Sequence, residues 1–181
     1  GFNKDVMPVL TKAGCNSGGC HGASRGKDGF RLSLFGYDPE GDYFRLTRES
    51  IGRRVNLALP EESTLLEKAV GAVPHTGGER FKADSPLYRT LLAWIEAGAP
   101  RDAAAAPAVI RLEVHPLQSV IEGVGEGQQF NVRAVYADGS DRDVTTLAAY
   151  FSNNEAVAKV SESGRVSALA RGEAFITVRY E

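Results

Sequence analysis

Cys15-Asn16-Ser17-Gly18-Gly19-Cys20-His21 holds both cysteines of the chain and one of its three histidines. Two thiols in one short loop, followed directly by an imidazole, limit what this part of the chain can become. Cys-x-x-Cys-His is the attachment signature of c-type haem: each thiol adds to one vinyl group and the histidine becomes the proximal iron ligand. Here the spacer is four residues. Gly18 and Gly19 are expected to take positive φ, letting the longer spacer bulge while Cys15 and Cys20 still reach their vinyl carbons. Two other chemistries stay open. The cysteines can close a small disulfide loop, or join His21 and one further histidine around zinc. A zinc knuckle of this spacing usually needs a second ligand pair, and His75 and His115 are single and far apart.

Composition sets bounds. A chain of 181 residues holds one large domain or two small ones. Hydrophobic content of 43% with 24% charged residues is that of an ordinary globular protein. The net charge of −2 suggests neither nucleic acid nor an anionic membrane as partner. No apolar run is long enough to span a bilayer. The chain opens at Gly1 without a signal peptide and is expected to be a fragment of a larger multidomain protein.

A change of pattern divides it. Four alanines between Pro100-Arg101-Asp102 and Pro107 carry no amphipathic period. The reading is a first domain over 1–102, a linker over 103–108 and a second domain over 109–181. The first reads as mainly α. Asn3 or Asp5 caps a helix from Lys4 to Lys12, with Pro8 in its first turn and Gly14 ending it. Ser63 caps a second short helix bearing Leu65, Leu66 and Ala69, stopped by Gly71. Ser85 and Pro86 start a third, whose inner stripe is Leu87, Leu91, Trp94 and Ile95. Phe30, Leu32 and Leu34 alternate with polar residues, as in a short strand or an extended segment wrapping an apolar ligand.

Phe2 to Val6, Pro8-Val9-Leu10, Cys15 to Gly22, Gly29 to Gly36, Val73 to Gly78 and Trp94 to Pro100 together resemble the cytochrome c-like modules of large planctomycete proteins. The resemblance covers the whole first domain, in the branch with the longer spacer. It implies a secreted module with one covalent haem c, fused to larger regions, and so an extracytoplasmic site in the periplasm or at the cell surface. Attachment also requires reduced thiols and haem delivered outside the cytoplasm.

An electron-transfer haem has a second axial ligand. The only methionine, Met7, precedes the motif on the first helix and is read as core packing. His75, in Pro74-His75-Thr76-Gly77-Gly78, follows at a suitable distance along the chain and is the expected sixth ligand, giving a bis-histidine iron of lowered potential. A solvent-exposed loop histidine is the plainer reading of the same residue. Lys27, Lys68 and Lys82 would each have to lose a proton to bind, which neutral imidazole does not. Arg53, Arg54 and Arg80 are candidates to hold the haem propionates, since a guanidinium fork suits a carboxylate. Surface charge is the alternative for each.

The second domain reads as an all-β sandwich. Ile110, Leu112 and Val114 alternate, as do Phe130, Val132, Ala134 and Tyr136 before the turn Ala137 to Ser140. Further strands follow at Tyr150 to Ser152, Val157 to Val160, Arg165 to Leu169 and Ala174 to Val178. This run resembles the bacterial group 2 immunoglobulin-like domain, with Tyr150-Phe151 in the place of the family's usual Trp. The comparison implies that its last strand is lacking here. Such domains are spacers or adhesion modules, and His115 is read as a surface residue.

The function expected is an extracytoplasmic c-type cytochrome module passing electrons to a redox partner protein: a carrier rather than an enzyme. The alternatives are a haem enzyme component or gas sensor with a displaceable distal ligand, and a haem-free adhesion or scaffold protein.

Overall fold

The computed structural model describes residues 1–103 and 107–180, and these fall into two compact units with the division between them. Half of the segment read as a linker, residues 104–106, lies outside the described residues.

The first unit opens with a π-helical turn, Phe2–Val6, running straight into α1 (Met7–Lys12). The helical stretch therefore starts before either residue read as its cap, and neither Asn3 nor Asp5 caps it. Pro8 falls at the junction of the π-helical turn with α1, in the first turn of α1. Gly14, at φ 71°, ends the helix. Its N–H donates to the Thr11 carbonyl at 3.0 Å, and the Cys15 N–H reaches back to Leu10 at 2.8 Å. This paired closure needs a left-handed residue, which glycine supplies without strain.

α2 (Pro39–Thr47) was not anticipated from the sequence, although Asp38 caps it by accepting from the Gly41 N–H at 3.0 Å. It presents Tyr43, Leu46 and a fully buried Asp42 inward. Asp42 is stabilised there by the Ser33 N–H at 2.6 Å, the Ser33 hydroxyl at 2.5 Å and Arg45 at 3.0 Å. α3 (Thr64–Ala69) begins after Ser63, whose hydroxyl accepts from the Asn56 N–H rather than capping the helix. α4 (Pro86–Glu96) is capped as its sequence indicates: the Ser85 hydroxyl accepts from the Tyr88 N–H at 3.2 Å. Leu87, Leu91, Trp94 and Ile95 are all buried. Phe2 sits between Tyr43 and Trp94, at ring-centroid distances of 5.3 and 5.6 Å, so the chain's first turn closes the core that α2 and α4 begin.

The second unit is antiparallel throughout. Its strands are β1 (Val109–His115), β2 (Gly127–Gln129), β3 (Asn131–Tyr136), β4 (Asp141–Asp143), β5 (Ala149–Ser152), β6 (Ala158–Val160), β7 (Arg165–Ala168) and β8 (Ile176–Arg179). They pair in the orders β1-β3-β4, β2-β7-β6 and β5-β8. Val132, Ala134 and Tyr136 face the core, as their alternation indicates. β1 departs from it: the register slips between Val109 and Arg111, and Ile110 turns outward at 61% exposure. The Tyr150 hydroxyl donates to the Thr145 carbonyl at 2.8 Å, whereas Phe151 is exposed. Of that aromatic pair, Tyr150 fills the inner place.

Candidate functional site

The site begins at the end of α1. From Cys15 the chain folds into a knot of turns. The His21 N–H donates to the Cys15 carbonyl at 3.0 Å and the Gly22 N–H to Ser17 at 3.0 Å. Asn16 is fully buried at its centre, donating to the Thr11 hydroxyl at 2.9 Å. Neither Gly18 nor Gly19 adopts the positive φ expected of it; the glycines that do lie on either side, at Gly14 and Gly26. The tight position is Gly22. A Cβ there would stand 2.0 Å from the Asn16 carbonyl oxygen.

His21 emerges from this knot into a cleft of about 290 Å³. Leu10, Phe30, Leu32, Leu46, Leu65, Phe81 and Leu91 supply its apolar wall. Lys27, Arg53, Arg54, Lys68 and Arg80 stand at the same cleft against one acid, Asp28. In a chain of net charge −2 that is a local excess of positive charge. Cys15 and His75 line the cleft as well; Cys20 is half-buried and is not among its lining residues. Both thiols are free, and burial pushes the Cys15 thiol up to about 11, with Arg80 opposing the shift.

The two histidine rings lie near one another and near-parallel at this cleft. Their ring centroids are 6.2 Å apart and their planes differ by 9°. Rings in face-to-face contact would lie about 3.5–4 Å apart. Two imidazoles on opposite sides of one metal, each nitrogen about 2.0 Å from it, place their centroids roughly 6 Å apart. The tautomers agree with that arrangement. His21 Nδ1 lies 3.1 Å from the Phe30 carbonyl and His75 Nδ1 lies 2.9 Å from the Gly78 carbonyl. A carbonyl only accepts, so both Nδ1 atoms carry a proton, and an imidazole held this way has its lone pair on Nε2 when neutral. Metal-binding histidines are typically oriented in this way, through the nitrogen that does not bind. Burial holds the His21 pKa below its usual value, which favours the neutral form.

The arginines take different parts. Arg80 donates to the Ala13 carbonyl through Nε at 2.7 Å and through a second N–H, and to Gly77 at 3.1 Å. It thereby ties the end of α1 to the His75 loop. Arg54 donates to Arg45 at 2.7 Å, pairs with Glu49 at 2.9 Å and covers the Phe30 ring at 4.5 Å. Arg53 is exposed at the cleft edge. Of the lysines, Lys68 donates to the Pro74 carbonyl at 3.0 Å and Lys82 pairs with Glu79 at 2.7 Å. Met7 is buried, and a Cβ on Gly36 would stand 2.6 Å from its terminal methyl. Among the described residues no three of His, Cys, Asp and Glu converge as a metal-binding group; a bis-histidine site needs two. No helix among the described residues is long and apolar enough to cross a membrane.

Residues 111–179 match the family model of the bacterial Ig-like domain, group 2. The second unit is therefore an all-β immunoglobulin-like domain, preceded by a helical unit. No curated protein matches the chain.

Proposed function

We propose that the first unit is a c-type cytochrome module of the cytochrome c-like kind. It would hold one covalent haem in the cleft between His21 and His75 and act in electron transfer outside the cytoplasm. The single observation that carries this reading is the His21–His75 pair: near-parallel rings 6.2 Å apart, each with Nδ1 at a backbone carbonyl. Cys15 and Cys20 would supply the two thioether links, and His21 and His75 would donate nitrogens to the iron. Arg53, exposed at the rim, would bind a propionate. Arg54 lends charge to the same edge while its partners fix its position, and Arg80 holds the two halves of the cleft together. When bound, the haem supplies a one-electron iron couple. The protein's own share is to orient both imidazoles and to cover the ring with apolar side chains.

The immunoglobulin-like domain fits a spacer or adhesion role, holding the cytochrome module at a distance from whatever larger protein contains it. That pairing supports placement in the periplasm or at the cell surface, with a redox partner protein. An adhesion or scaffold protein without haem is the second reading, favoured by the immunoglobulin-like domain alone.

The test is expression with a haem-attachment system, followed by acid–acetone extraction. The haem should stay with the protein, and the mass should rise by one haem. The oxidised form should be low-spin without the far-red band of methionine ligation, and His75→Ala should make it high-spin. Haem that extracts freely would sink the proposal and leave the adhesion reading.

A further inference from the structure

Each histidine ring is fixed to its own stretch of chain, and one further contact joins the two stretches. Lys27 to Phe30 is a tight turn, closed by backbone hydrogen bonds of 2.8 and 3.0 Å, with Asp28 at φ 52° and Gly29 at φ 75°. That turn presents the Phe30 carbonyl to His21 Nδ1. At its tip, Asp28 Oδ2 accepts a hydrogen bond of 2.8 Å from the hydroxyl of Thr76, the residue after His75. The loop's other tethers, Lys68 to Pro74 and Arg80 to Gly77, run to α3 and to the end of α1.

We propose that Asp28 and Thr76 form a latch that holds His75 opposite His21, and so sets how readily His75 leaves the iron. The proposal rests on the bis-histidine reading of the cleft. Both residues act through the histidines and are positioning residues. Asp suits the tip for two reasons: it tolerates the left-handed backbone better than most residues, and its carboxylate makes a charge-assisted bond. The bond is exposed, so it is strong enough to bias the loop without locking it. Closed, the module is a sealed electron carrier. Opened, it offers the iron to an outside ligand.

The full chain, matured with haem and reduced, is exposed to carbon monoxide, and the binding rate is compared across variants. Thr76→Val removes the hydroxyl at constant shape, and Asp28→Gly removes the carboxylate without strain at positive φ. Each should raise the rate about fivefold, the effect of losing one such bond. The double variant should go no further than either single one. Thr76→Ser keeps the donor and should bind as the wild type does, while Asp28→Asn keeps an acceptor without the charge and should fall between wild type and Asp28→Gly. In haem-free protein the Gly78 amide, bonded to the His75 carbonyl at 2.9 Å, should exchange faster in Thr76→Val and Asp28→Gly. Wild type without covalent haem overturns the reading of the cleft and the latch's role with it. Haem present, with wild-type rates in both deletion variants, overturns the latch alone.

Discussion

Tyr150 shows how one side chain ties this molecule to pH. Its hydroxyl donates to the Thr145 carbonyl, and burial, with the nearby Asp143 carboxylate, pushes its pKa up to about 12. In the unfolded chain a phenol ionises near pH 10. Below that both states hold the proton and the stability is fully present. Between about pH 10 and 12 the unfolded state gives up its proton first, so stability falls as pH rises. The side chain is only half-buried, so solvent screening reduces the effect to on the order of 1 kcal/mol. Denaturant unfolding of the second unit should show this loss between pH 9 and 11.5 as a falling midpoint. Tyr150→Phe should be weaker at neutral pH by about 1 kcal/mol, for the lost hydrogen bond, and nearly flat above pH 10. An equal alkaline slope in the variant would show that other groups cause it.

At the scale of the element, the Cys15 to Gly22 knot shows what a sequence discloses and what it hides. Its candidate ligands are legible, because thiol, thiol and imidazole stand in order. The position that permits its shape is not, because backbone overlap leaves no trace in spacing. Gly18 and Gly19 look like the hinges, yet a Cβ on Gly18 would first meet Leu34 at 3.8 Å, and one on Gly19 would meet nothing within 4 Å. At Gly22 the obstacles are backbone atoms of Asn16 and Ser17, at 2.0 to 2.8 Å. Gly22→Ala should therefore cost about 2–4 kcal/mol in unfolding of the haem-free protein, while Gly18→Ala and Gly19→Ala stay within about 0.5 kcal/mol. Comparable losses at all three would refute this account of the knot. α4 was fully legible because cap, proline and apolar stripe agree. α2 was missed because Gly41 and a run of polar residues hide its Asp38-Pro39 start. Ile110 was assigned inward because a one-residue register slip does not alter an alternating sequence. The proposal for His75 rests on elimination among donors in the sequence; the Asp28–Thr76 contact, between residues far apart in sequence, had no signal at all.

On the scale of the whole molecule, where the first unit ends decides whether it folds alone. Helix α4 stops at Glu96, and a boundary drawn there looks natural. The next six residues, however, fold back on the core. The buried Tyr43 hydroxyl donates to the Ala99 carbonyl at 2.9 Å, and Trp94 Nε1 to Pro100 at 2.9 Å. Asp102 accepts from the Asn3 N–H at 2.5 Å, and Arg101 covers the Tyr43 ring at 4.5 Å. A fragment of residues 1–96 leaves two buried donors without acceptors, each costing about 1–3 kcal/mol, and uncovers the first turn of the chain. It should lose on the order of 3 kcal/mol and unfold early in denaturant. Residues 1–103 keep every one of these contacts, the Cys15 to Gly22 knot and the His21–His75 cleft. That fragment should unfold at the midpoint of the first unit in the full chain and, once matured, give an unchanged haem spectrum. Its failure to fold, with the full chain intact, would mean that the immunoglobulin-like domain completes the first unit rather than following it.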